Sequence, residues 1–401
     1  MNELRVASHA LRANSRDLID RRSKRSLGSQ QLSPLATRHA VTLIELLITI
    51  TIIATLSATF LGVSRVAMES ARSARTKTMI GKIDGLLMEK WTSYATRRVD
   101  IHPQVLAELE MGIKNIFPNR PGRQRRALGE ARADLRLLAV RELMRLEMPD
   151  RWSDIILNGI PDEAPKNYLL NPTSVLAAVP AVTRAYRRRL DNLKDTVNGV
   201  ALNGETVRSF QGAECLYMII MLTTADGEAS MLFREQDIGD VDGDGAPEFL
   251  DGWGRPISFI RWPAGFAAAG QSSLMSLDAD LDHDPSDPFR RDLPRDPASL
   301  ISSRAYPRQV QLSIQAIHNR NRLSEPISAF RLVPLVYSAG PDGDYDLVTS
   351  TKALVFDPYL DYTNDNPAVN TMMPSLGGIL VSDDDGDNWL DNIHNHLQDN
   401  R

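Results

Sequence analysis

From Val41 to Val63 the chain carries one ionisable side chain, Glu45, in a run otherwise made of apolar residues, small residues and hydroxyls. About 20 apolar residues cross the hydrocarbon of a bilayer. Only a helix can satisfy its own backbone there as a single segment. A lone carboxylate near the start of such a helix opposes membrane physics and calls for a functional reason. The hydroxyls of Thr49, Thr51, Thr55, Ser57 and Thr59 are compatible with the span. Each can bond back to a carbonyl one turn earlier, and together they favour helix–helix contact. Residues 1–40 hold eight Arg or Lys against three acids, a net charge of +5. A basic flank holds its end in the cytoplasm. The chain after Val63 is therefore expected outside the cytoplasmic (inner) membrane, on the periplasmic or extracytoplasmic side of a single pass. The polar leader contains no aromatic residue, so orientation explains its charge better than nucleic-acid binding.

Beyond Val63 the pattern becomes amphipathic. Met79, Ile80, Ile83, Leu86, Leu87, Trp91 and Tyr94 recur at spacings of three and four, with Arg72, Arg75, Lys82, Glu89 and Lys90 largely on other faces. No proline interrupts Val41 to His102. One helix of about 55 residues, roughly 80 Å long, is predicted. Its continuation over residues 64–98 would pack on a globular head. Residues 99–200 read as an Arg-rich helical insert, with a helix from Gly129 stopped by Pro149. In it Arg132, Arg136 and Glu142 are placed away from Leu135, Leu138 and Leu146. Arg184, Arg187, Arg188 and Arg189 read as a solvated face.

From residue 201 to 401 strand-like runs (Pro256–Trp262, Phe330–Tyr337, Gly378–Val381) alternate with loops rich in Asp, Gly and Pro. The fold class is α+β: a long N-terminal helix packed on a small antiparallel sheet, with an inserted helical subdomain and long Asp/Gly-rich loops. Cys215 is the one cysteine, so no intrachain disulfide forms. Its apolar surroundings in sequence predict a buried, inert thiol. His394 and His396 read as solvated histidines near a C-terminus.

The strongest chemical signal is Asp240-Val-Asp242-Gly-Asp244-Gly245-Ala-Pro-Glu248-Phe-Leu-Asp251. Carboxylates at positions 1, 3, 5, 9 and 12, with Gly at 6, match the twelve-residue calcium loop. Alternate side chains in a tight turn converge on one point, and Gly245 permits the turn. Seven acids lie between Glu235 and Asp251 with no Lys or Arg among them, so a calcium ion is expected. A second candidate is formed by Asp383, Asp385 and Asp387; a weaker one comprises Asp278, Asp280, Asp282, His283 and Asp284.

Three stretches carry a family resemblance. Ala40-Val-Thr-Leu-Ile-Glu45 resembles the cleavage and methylation site of type IV pilins and of the pseudopilins of type II secretion, with Ala40 where Gly is usual. Asp251-Gly-Trp253-Gly254-Arg-Pro256 resembles the D-x-W-G-x-P signature of the major pseudopilins. Ser338-Ala-Gly340-Pro-Asp342-Gly343 resembles their S-x-G-x-D-G signature. The resemblance implies a pilin-like fold. It implies cleavage between Ala40 and Val41 by a prepilin peptidase, with methylation of the new Val41 amine. It implies that Glu45 pairs with the Val41 amine of a neighbouring subunit during assembly. Other pilin or pseudopilin subunits and an inner-membrane assembly platform are the implied partners, and calcium orders the head. Residues 1–40 would then be a leader, 41–63 the membrane and filament-core segment, and 201–401 the calcium-binding head. The chain contains no G-x-S-x-G, H-E-x-x-H, P-loop or dinucleotide fingerprint, so a structural role is expected rather than an enzymatic one. A single-pass extracytoplasmic recognition module and a metal-dependent hydrolase are the alternatives.

Overall fold

The computed structural model describes residues 42–155, 175–190, 196–197, 200–201, 210–223, 228–263, 265–266, 283–291, 303–307, 310–311, 314, 332–349, 377 and 391–397. Six α-helices occur among them: α1 (Leu43–Ser93), α2 (Pro103–Ile116), α3 (Pro121–Glu147), α4 (Ala181–Leu190), α5 (Gln211–Thr223) and α6 (Glu228–Leu232). The strands are short: β1 (Thr196–Val197), β2 (Val200–Ala201), β3 (Ile238–Gly239), β4 (Glu248–Phe249), β5 (Ser258–Ile260), β6 (Leu335–Ser338) and β7 (Ile393–His394). This is a mixture of helices and small antiparallel sheets with one long apolar helix near the N-terminus, as an α+β chain requires.

The chain divides into two units, Met1–Leu61 and Gly62–Arg401. In the first, every described side chain is exposed. The predicted back-bonds are present: Thr49, Thr51, Thr55 and Thr59 donate to the carbonyls of Leu46, Leu47, Ile52 and Leu56 at 2.8–2.9 Å. The helix opens on a reciprocal cap. The Thr42 N–H donates to Glu45 Oε2 at 2.9 Å, and the Glu45 N–H donates to Thr42 Oγ1 at 3.3 Å. That is a capping box.

In the second unit one hydrophobic core gathers side chains from all six helices and two sheets. Met79, Ile80, Ile83, Leu87 and Trp91 of α1, and Tyr94 just beyond it, are buried there, as their spacing predicts. Pro103 and Pro121 stand at the first positions of α2 and α3, where a missing N–H costs nothing. α3 ends two residues before Pro149, close to the predicted stop. Strands β5, β6 and β7 form an antiparallel sheet with β6 central, pairing Phe259 with Val336 and Tyr337 with His394. β5 and β6 fall at Pro256–Trp262 and at the end of Phe330–Tyr337; Gly378–Val381 lies outside the described residues. The helix lying closest on this sheet is α5. A Cβ at Gly212 would press on Ser258 Oγ at 2.8 Å and on the Phe259 carbonyl at 3.0 Å, so glycine permits the approach.

Two expectations are corrected. Glu142 does not face solvent: it is fully buried, and its Oε2 accepts the Val175 N–H at 3.2 Å. The far side of α3 is itself covered, so its charges turn inward. His394 and His396 are also buried, against the ring of Phe266. The β7 pairing carries the C-terminal segment into the core rather than leaving it in water.

Candidate metal centre

β3 and β4 pair antiparallel, Ile238 with Phe249 and Gly239 with Glu248. The acidic loop 240–247 is the connection between them. It is shaped by its own carboxylates. Asp240 accepts the N–H of Gly243 at 2.8 Å through Oδ1 and that of Gly245 at 3.0 Å through Oδ2. Asp242 Oδ1 accepts the Asp244 N–H at 3.3 Å, and Asp244 Oδ1 accepts the Ala246 N–H at 2.6 Å. Glu248 Oε2 accepts the Val241 N–H at 3.1 Å. Gly243 and Gly245 sit at φ 80° and 99°, in the left-handed region that other residues avoid. The loop is thus held in shape by hydrogen bonds to its own carboxylates.

The four loop carboxylates Asp240, Asp242, Asp244 and Glu248 fall into two groups that share Asp242. One oxygen each of Asp240, Asp242 and Glu248 lie within 4.8 Å of one another. So do one oxygen each of Glu214, Asp242 and Asp244. Oxygens on opposite sides of a calcium ion are about 4.8 Å apart, since Ca–O distances run ~2.3–2.6 Å. Both sets therefore have the dimensions of a cation's oxygen shell.

Glu214, on α5, is the member that the sequence reading missed. It is 1% exposed, and neither of its carboxylate oxygens has a hydrogen-bond partner. Glu248 is fully buried with Oε1 likewise unpartnered. Burial, followed by the charges of Asp244, Asp242 and Glu248, pushes the Glu214 carboxyl up to about 10; the nearby Trp152 indole N–H lowers it but does not reach a good hydrogen bond. Burial is also the first cause for Glu248, pushed up to about 8 against the Val241 N–H, with Asp242, Asp240 and Asp244 adding to the rise. Asp242 is raised in the same direction, again chiefly by burial. Among the described residues, no Lys or Arg is a leading cause of the shifts of these three carboxyls. Acids crowded and buried in this way favour their neutral forms, and a cation among them would reverse that preference.

Asp251 lies outside both groups of neighbouring carboxylates. Its Oδ1 accepts the N–H groups of Trp253 and Arg255 at 2.8 and 2.9 Å, and its Oδ2 accepts the Ser338 hydroxyl at 2.7 Å. It caps the Asp-Gly-Trp-Gly turn instead of closing the ion loop. The same bonds join two of the motifs: Ser338 Oγ accepts the Gly340 N–H at 3.2 Å, and Arg255 donates to the Gly340 carbonyl at 2.9 Å. The turn also seats on α1, with the Gly252 N–H donating to Thr76 Oγ1 at 2.8 Å and Trp253 Nε1 to Glu69 at 2.9 Å.

Of the remaining candidates, Asp383, Asp385 and Asp387 lie outside the described residues, as do Ala40, Val41, Asp278, Asp280 and Asp282. Asp284 serves the packing: it accepts from Ser286 at 2.9 and 2.7 Å and pairs with Arg141 at 3.4 Å. Cys215 is fully buried, and burial raises its thiol well above the usual range, as an inert core cysteine requires. Comparison with protein families, characterised proteins and solved structures returns no match.

Proposed function

We propose that this protein is a membrane-tethered, pseudopilin-like structural subunit of a type II secretion or type IV pilus-like filament, with a head stabilised by calcium. The observation that carries the reading is the start of α1. Residues 42–63 are exposed throughout, and Glu45 is the sole charge among them. Such a face needs either lipid or a bundle of like helices to cover it. One helix of the described chain is long and apolar enough to cross a membrane. The Glu45 carboxylate sits one turn from the point where a processed chain would begin, bonded to the N–H of Thr42. In a packed bundle that carboxylate is tolerable when a neighbouring amine neutralises it. Cleavage and methylation at Val41 by a prepilin peptidase would supply that amine. Docking to an inner-membrane platform and to other subunits then follows, with the head on the extracytoplasmic side and calcium in the 240–248 loop.

The test is the N-terminal mass of the chain recovered from membranes, together with Glu45→Gln. A chain that starts at methylated Val41 supports the reading; an intact leader removes it in favour of a simple anchored module. Gln keeps the capping box but loses the charge. Glu45→Gln is expected to insert and fold while failing to enter filaments. Normal incorporation of that variant would show that Glu45 acts only as a cap.

A further inference from the structure

The acidic loop lacks a closing ligand. A twelve-residue calcium loop ends on a carboxylate at position 12 that reaches back over the ion. Here that position is Asp251, which lies in neither group of neighbouring carboxylates and instead holds the turn that follows and Ser338. What the loop lacks, another element provides. Glu214 approaches from α5, and one of its oxygens lies within 4.8 Å of oxygens of both Asp242 and Asp244. It is 1% exposed, and neither oxygen has a partner. A buried carboxylate with neither a cation nor a good hydrogen bond is strongly disfavoured. α5 otherwise offers the core Cys215, Leu216, Ile219 and Ile220, all buried. An acid in that row is out of place for packing alone.

We propose that Glu214 is a cation ligand, and that a calcium ion held between it, Asp242 and Asp244 clasps the β3–β4 loop to the core helix α5. The inference rests on the reading of the loop as a calcium site. The donors are all carboxylate oxygens, which suit a hard cation and not a soft transition metal. An enclosed protein cage favours calcium over magnesium, which is smaller and retains several of its waters. The consequence is mechanical. α5 lies against β4 and β5, and Tyr217 of α5 packs on Phe249 of β4 with ring centroids 5.2 Å apart. Loading the ion therefore tightens the same packing that holds the sheet.

The experiment uses the full chain in detergent, titrated with calcium and, separately, with terbium, whose emission reports sensitisation by an aromatic side chain such as Trp152, a neighbour of Glu214. Melting is recorded in calcium and in EDTA. Wild type is expected to bind calcium, and Glu214→Gln to weaken it about 10-fold or more with melting in EDTA unchanged or raised. Should Glu214→Gln not fold, Glu214→Asp retains the charge with a shorter reach and is expected to bind more weakly than wild type. Wild-type affinity in a folded Glu214→Gln would overturn the role of Glu214 and leave the loop as a cation site by itself. No binding by wild type at about 10⁻³ M calcium, the weak end for such modules, would overturn both.

Discussion

Asp251 separates the two roles that an acidic residue at the end of a calcium-like loop can have. It accepts two backbone N–H groups and one hydroxyl at 2.7–2.9 Å, and it is 2% exposed. Hydrogen bonds to a charged group contribute about 1.5–3 kcal/mol each. They share one side chain and do not add, so Asp251→Ala is expected to cost about 3–5 kcal/mol, the range for removing one partner of a buried charged network. Asp251→Asn keeps the Oδ1 acceptor for both N–H groups and turns an amide donor toward Ser338. The serine hydroxyl can rotate to accept, so the cost falls to about 1 kcal/mol. Urea unfolding of the full chain in detergent, in calcium and in EDTA, measures both. A turn cap predicts that each variant loses the same stability in the two conditions. An ion ligand predicts a larger loss in calcium, most clearly for Asp251→Asn, which leaves the turn in place. If Asp251→Asn abolished the calcium response, the assignment of Asp251 to the turn would be wrong and the spacing of the loop alone would have been the better guide.

Two further outcomes follow from the packing. A Cβ on Gly252 would run into the backbone carbonyl of Arg72 in α1, so Gly252→Ala is expected to destabilise by about 1–3 kcal/mol. A lowered urea midpoint at unchanged slope would show it, and a wild-type midpoint would refute the close seating of the turn on α1. Burial, with His396 adding, holds His394 down to about 4 from its ordinary 6.5. The folded state thus binds fewer protons than the unfolded one below about pH 6.5. Stability from this group is full above that value and is lost as pH falls toward 4, by about 3 kcal/mol in all at ~1.4 kcal/mol per unit. His394→Phe should flatten the acid limb of stability between pH 6.5 and 4; identical limbs in the two proteins would rule the histidine out.

What the sequence disclosed was local. The α1 helix was readable because Met79, Ile80, Ile83, Leu87 and Trp91 repeat with the helical period, and because no proline interrupts it. The loop carboxylates at Asp240, Asp242, Asp244 and Glu248 were readable because a turn converts alternate positions into convergent ones. Glu214 was not, since it reaches the loop from a helix 26 positions before Asp240 and only the fold brings the two together. Its one trace in the sequence is an acid inside the otherwise apolar Ala213–Leu222. Asp251 falls outside both carboxylate groups, since a spacing rule counts positions without asking what else competes for the side chain. Here the tight turn at Gly252–Gly254 and the Ser338 hydroxyl win that competition. Glu142 and the two histidines were placed in water because nothing in their own segments announces the chain that covers them.

The buried polar groups of α3 and its C-terminal extension form a system of their own. Within α3, Asp134 binds Arg291 and the Tyr306 hydroxyl, Arg141 meets Asp284, Glu142 takes the Val175 N–H, and Glu147 takes the Tyr94 hydroxyl and Arg97. Arg261, just beyond β5, donates at 2.8 Å to both Asp154 and the Met148 carbonyl. Every one of these bonds joins α3 or its C-terminal extension to a segment at least 33 positions away. A buried ion pair adds little net stability over a well-packed apolar pair, yet leaving one partner alone is expensive. Such pairs therefore penalise wrong alignments more than they reward the right one. In a chain with a single cysteine no disulfide can hold these segments in register. The buried charges of α3 do so on one side of the core. On the other, Glu214 of α5 meets Asp242 and Asp244 of the β3–β4 loop.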